Sequence, residues 1–148
     1  MPTSQLLFSF TGRVNRKPYW LIHLVLVAIA IVIFVLTATL GGSDALMNYS
    51  ALGSGLLPFV VAFIPIAWIG LAVSAKRLHD RGKSAWWLLV FWLLPSALDR
   101  VGDRIEGVGV IFMLASIALS IWGLVEMGFL RGTVGSNRYG PDPLRAPS

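Results

Sequence analysis

Residues 19–40 contain no Asp, Glu, Lys or Arg, and that run restricts the fold more than any other feature of the chain. A helix rises about 1.5 Å per residue and needs roughly 20 apolar residues to cross the hydrocarbon of a bilayer. The run is long enough. Three further stretches are similarly apolar: 51–75 and 85–98, both without formal charge, and 107–130, where Glu126 is the one carboxylate. Hydrophobic residues make up 56% of the 148 and charged residues 13%, whereas soluble domains carry about 25% charged residues. With a mean hydropathy of +0.76, lipid is the expected solvent.

These runs predict an all-α membrane protein: a four-transmembrane-helix bundle in one domain over residues 1–148. Its parts are a cytoplasmic interfacial segment, 1–18, spans at about 19–40, 51–75, 85–98 and 107–130, and a structured cytoplasmic tail loop, 131–148. Pro58 and Pro65 should bend the second span, and Gly53 and Gly55 loosen its start. The third covers only about 20 Å of helix, and Pro95 interrupts its end. Glu126 lies close enough to Arg131 for its carboxylate to be expected at the headgroup level. The first run exceeds the roughly 7–15 residues of a signal-peptide core and lacks a convincing small-residue cleavage site, so a retained anchor is expected. Small residues mark close helix approach in lipid. Ala67, Gly70 and Ser74 share one helix face and Ser116, Ser120 and Gly123 another, which predicts that these two faces pair.

Orientation follows from the positions of the cations. Ten of the twelve Lys and Arg residues precede the first run, join the second to the third, or follow the fourth; only Arg100 and Arg104 lie on the opposite side. Both termini are therefore expected in the cytoplasm of a bacterial inner (plasma) membrane. A net charge of +5 would suit nucleic acid only if the cations formed one solvated face. Here they are split among apolar runs, and no nucleic-acid partner is expected. The absence of cysteine excludes disulfides, iron–sulfur clusters and cysteine zinc sites.

Three polar segments fall on that basic side. The first interleaves Phe8, Phe10, Gly12, Arg13 and Arg16 with Tyr19 and Trp20. The second reads Lys76-Arg77-Leu78-His79-Asp80-Arg81-Gly82-Lys83-Ser84-Ala85-Trp86-Trp87, with Gly82 suited to ending one helix and Ser84 to capping the next. The third, Gly132 to Pro143, is too rich in Gly and Pro for a helix. Aromatic rings prefer the headgroup level, where Arg and Lys meet lipid phosphates.

In this order the segments resemble the domain-of-unknown-function 805 family of small bacterial inner-membrane proteins. The matching positions are Phe10, Gly12, Arg13, Arg16, Tyr19 and Trp20; then Arg77 to Asp80, Gly82, Ser84, Trp86 and Trp87; then Gly132, Gly135, Asn137 and Tyr139 to Pro143. The charged insert 99–106 departs from the shorter bend that the resemblance implies. Because that family has no assigned activity, the resemblance implies little about chemistry.

His79 beside Asp80 suggests catalysis or metal ligation, but neighbours on a helix point about 100° apart. A structural role joining the turn to the tail loop is expected, with Asp142 accepting from Arg77 or Arg81. His23 is the only other histidine, too little for a zinc site. No phosphate loop and no nucleophile elbow occurs. No enzyme, cofactor or metal is expected. The expected function is binding or scaffolding: Arg13, Arg16, Tyr19, Trp20, Arg77, His79, Asp80, Arg81, Trp86, Trp87, Asn137, Tyr139 and Asp142 form a face for anionic lipid headgroups or a protein partner. The alternative is an oligomeric transporter or channel subunit using His23 and Glu126. An enzyme acting on headgroups through His79 and Asp80 ranks third.

Overall fold

The computed structural model describes residues 2–40 and 56–145, and every named element among them is helical. Helix α1 (Thr3–Phe8) precedes α2 (Arg16–Leu40), which is the first apolar run. The connection 41–50, the predicted start of the second span at 51–55 and the last tail residues 146–148 lie outside the described residues. Helix α3 (Leu56–Asp80) contains Pro65 without ending there, and it carries Lys76 to Asp80 on its last turns. It stops where Gly82 takes a φ of 71°, a left-handed conformation that costs glycine little.

The third run is longer than its composition predicted. Helical backbone covers residues 87–102, opening a π-helical turn, Leu89–Leu93, that leads directly into α4 (Leu94–Gly102). The widened turn precedes Pro95, which lacks the N–H that a tight i→i−4 ladder would require there. Those 16 residues amount to about 24 Å of helix. Ser84 is not a side-chain cap; its carbonyl accepts the Trp87 N–H at 3.2 Å. Helix α5 (Gly109–Leu124) then runs into a second π-helical turn, Val125–Phe129.

Helices α4 and α5 form an antiparallel hairpin. The Phe91 side chain lies where a Cβ on Gly123 would be 2.9 Å away, and at the other end Gly102 faces Phe112 and Gly109. Between them the Ser116 hydroxyl donates to Asp99 at 2.6 Å. This register corrects the expected pairing of small faces. Gly70 packs instead under Leu26, and Ser74 meets His23, both on α2. Close approach is made by small residues, as expected, but between different helices.

Large apolar side chains of α2 such as Leu21, Leu24, Ile31 and Val32 point outward, as do Val110, Ile111 and Leu114 of α5. Three helical stretches, Arg16–Leu36, Val60–Asp80 and Gly109–Phe129, are long and apolar enough to cross a membrane. The interior lies at one end of the molecule, where residues 72–80 of α3 are all buried. Val14, Tyr19, Leu78, Leu88, Phe91 and Met127 pack around that turn.

Candidate functional site

Two helix C-termini, those of α3 and of the π turn after α5, converge on this buried end, and each leaves carbonyl oxygens without intrahelical donors. At the α5 side five consecutive carbonyls are taken. Arg77 Nε donates to Met127 O at 2.6 Å, Trp20 Nε1 to Gly128 O at 3.0 Å and Arg16 Nη1 to Phe129 O at 3.0 Å. Arg77 Nη2 donates to Leu130 O, and Arg81 Nη1 to Arg131 O. The guanidinium charges also face the negative end of that helix's dipole.

Asp80 closes the α3 side. Arg13 donates to its Oδ1 from Nε and Nη2 at 3.1 and 3.0 Å, and Arg77 Nη1 donates to Oδ2. The remaining Arg13 donors reach the tail: Nη2 to Thr133 O at 2.6 Å, and Nη1 to Gly135 O at 2.6 Å and Gly140 O at 3.3 Å. All five N–H groups of Arg13 are thereby occupied. A buried Arg–Asp–Arg triad carries one excess positive charge, and the surrounding carbonyl dipoles offset it.

The tail loop is tied to α3 as closely. Thr133 donates to Asp80 O from its N–H at 2.8 Å and its hydroxyl at 3.0 Å. Asn137 Nδ2 donates to His79 O and to Thr133 Oγ1, each at 2.9 Å. The Tyr139 ring stacks on the His79 imidazole with centroids 3.9 Å apart, while His79 Nδ1 lies 3.2 Å from Gly12 O. His79 and Asp80 thus face different partners.

Several expectations change at this point. Arg13 and Arg77 are 5% and 0% exposed, so their guanidiniums cannot meet headgroups; they organise the protein itself. Tyr19 is buried against His23, Trp20 is engaged by Gly128, and Trp87 packs on Trp122 under the Lys83 ammonium. Trp86 alone of the four aromatics projects freely, at 75% exposure. Glu126 does not reach outward; it is buried and accepts from Arg81 Nε at 2.9 Å, with Lys83 Nζ 3.8 Å away. Asp142 accepts neither Arg77 nor Arg81 but the N–H groups of Gly135 at 2.9 Å and Leu144 at 3.0 Å. The Leu144 and Gly135 donors, aided by Arg13 and Arg145, hold the Asp142 carboxyl below the ordinary carboxylate range.

Lys76 was not singled out by the sequence, yet it is fully buried and donates to Gln5 O at 2.9 Å, Leu6 O at 2.5 Å and Ser9 O at 2.6 Å. It caps α1. Thr133, also missed, links Asp80 to Asn137. Its position inside the third polar segment was the available signal; for Lys76 it was a lysine one residue before Arg77.

His23 stays with Tyr19 O and Ser74, at 2.8 and 3.3 Å, and no group of three or more His, Cys, Asp or Glu side chains gathers among the described residues. Chemically the cluster is a clamp. Both Asp80 oxygens are held by guanidiniums, and every buried side-chain polar atom described has a partner.

The profile of the family described as "Protein of unknown function (DUF805)" matches residues 7–141. The chain is 30% identical to "Uncharacterized protein YiiR" of Escherichia coli K12 over 148 residues, covering 96% of this chain and 90% of the relative. It is 32% identical to "Inner membrane protein YhaH" of the same strain, covering 94% and 90%, and 28% identical to "Inner membrane protein YhaI", covering 91% and 86%. No solved structure matches significantly.

Proposed function

The chain belongs to the DUF805 family of proteins of unknown function, and from that premise we propose that it is a non-enzymatic binding or scaffold protein of the bacterial inner membrane. Its relatives YhaH and YhaI are named as inner membrane proteins. It crosses four times, with both termini and the clamp in the cytoplasm. The antiparallel register of α4 on α5 supports the fourth crossing, because the chain leaves Lys83 at the clamp end and begins α5 at the other. The bonds linking residues 13, 77, 80 and 133 support one side for all three basic segments, and the excess of Lys and Arg on that side favours the cytoplasm. Reporter fusions at residues 104 and 145 should report opposite sides; a shared side overturns the topology.

The partner on that face is the anionic headgroup layer. The observation that carries this is the division among the cations. Arg13, Lys76 and Arg77 are buried in the clamp, whereas Arg16, Lys17, Arg131, Arg138 and Arg145 remain exposed around it. A cation near an anionic surface contributes on the order of 1 kcal/mol. Reconstitution into nanodiscs of mixed phosphatidylglycerol and phosphatidylcholine should enrich phosphatidylglycerol around the wild type. The enrichment should fall when Lys17, Arg138 and Arg145 are changed together to Gln, and equal enrichment would remove the headgroup reading.

A further inference from the structure

A small open cleft of about 30 Å³ lies between the start of α2 and the tail loop, lined by Asn15, Arg16, Arg131, Thr133 and Asp142, with Arg77 and Asp80 at its floor. Arg77 and Asp80 are committed to the buried triad with Arg13, whose excess charge the carbonyl dipoles offset. The groups that remain are different. Arg16 gives one bond to Phe129 O and is otherwise exposed. The Arg131 guanidinium makes no hydrogen bond or ion pair among the described residues, although its carbonyl is held by Arg81. Asp142 is fixed by two backbone donors, with no guanidinium bonded to it. Two guanidiniums and one carboxylate therefore leave the cleft with one uncompensated positive charge.

We propose that this cleft binds a phosphodiester group, presented either by a membrane lipid or by a soluble diester. The proposal rests on the headgroup reading above and narrows it to one site. About 30 Å³ admits roughly two water-sized atoms, which suits the two non-bridging oxygens of a diester. Paired guanidinium donors match phosphate oxygens in charge and geometry. A diester carries one negative charge and balances the cleft. A monoester dianion overcompensates it and sets its second charge against Asp142. Arg16 opens the first apolar helix, so the cleft sits where that helix meets the headgroups, and a lipid phosphate reaches it without leaving the interface.

The test uses the full chain in neutral maltoside micelles, titrated with dihexanoyl phosphatidylglycerol, dihexanoyl phosphatidic acid, dimethyl phosphate and inorganic phosphate, and read by native mass spectrometry and phosphorus NMR. Wild type should bind the phosphatidylglycerol saturably and more tightly than the phosphatidic acid. Arg131→Gln, which removes a guanidinium that makes no hydrogen bond or ion pair among the described residues, should weaken binding at least tenfold, and Arg16→Gln with Arg131→Gln further. Arg100→Gln with Arg104→Gln, at the opposite end, should leave it unchanged. Asp142→Asn should shift preference toward the monoester. Dimethyl phosphate displacing the lipid at equal concentration assigns the soluble source, and failure to displace it assigns the lipid. Unchanged affinity in Arg131→Gln and the double variant, or tighter binding of the monoester by wild type, overturns the proposal. An anionic preference in nanodiscs that survives in Arg131→Gln removes the cleft and leaves the wider headgroup reading standing; no such preference in wild type removes both.

Discussion

Gly132 lies so close beneath the Asp80 carboxylate that a Cβ on it would stand 2.0 Å from Oδ2 and 2.7 Å from Oδ1. The two residues are far apart in sequence, and their contact explains why the tail segment begins with glycine. Here the requirement is for space, since no positive φ is recorded at Gly132. The carboxylate cannot yield easily, because Arg13 and Arg77 grip it from two sides.

Gly132→Ala should therefore be far more damaging than a loop substitution usually is. Overpacking alone costs about 1–3 kcal/mol, and displacing Asp80 would leave two buried guanidiniums without their carboxylate, a class of change costing about 3–5 kcal/mol. The expected result is a clear fall in detergent-phase thermal stability together with faster proteolysis of residues 131–145. A variant that matched wild type in both measurements would show that the tail does not pack on Asp80 in this way.

Much of this arrangement was legible in the residues. The apolar runs placed α2, α3 and α5, and the candidate residues included Arg13 and Arg77, the two that bond the Asp80 carboxylate, but not Thr133, whose hydroxyl bonds its carbonyl. What the sequence could not show was the direction in which the cations point. A row of Arg beside Trp and Tyr reads as a headgroup belt, because nothing in one dimension reveals that two helix C-termini meet there and present carbonyls for Arg77, Arg16 and Arg81. The same blindness put Glu126 at the headgroups, although Arg81 lies within 2.9 Å of it. The third helix was underestimated for a local reason. Pro95 reads as a stop, whereas a π-helical turn accommodates it and lets α4 continue to Gly102.

Lys76→Met tests the role that the sequence concealed. The ammonium has three N–H donors, and three carbonyls of α1 and its exit accept them. Methionine retains much of the apolar stem but offers no donor, so the carbonyls of Gln5, Leu6 and Ser9 lose their partner at the C-terminus of a six-residue helix too short to persist alone. Hydrogen exchange over residues 3–9 should accelerate at least tenfold, while the amides of α5 keep their wild-type protection. Unchanged exchange in α1 would mean that apolar packing by Leu6, and not the ammonium, holds it in place.

Asp142 supplies the pH dependence of the tail. Donation from Leu144 and Gly135 lowers its folded pKa below the unfolded value of about 3.9. A depressed carboxyl contributes stability that is fully present above the unfolded value and is lost as pH falls through the folded one. The contribution of Asp142 to the loop around Gly135 and Leu144 should accordingly be constant from neutrality down to about 4 and fall only in stronger acid. The amide proton shifts of Gly135 and Leu144, followed by NMR, should move together with one midpoint below that of an unperturbed aspartate. Asp142→Asn should abolish the midpoint and, because an amide presents one oxygen where the carboxylate uses both, release one of the two N–H groups even at neutral pH. Titration of the two amides at or above the ordinary carboxylate value would show that these donors do not engage the charged form.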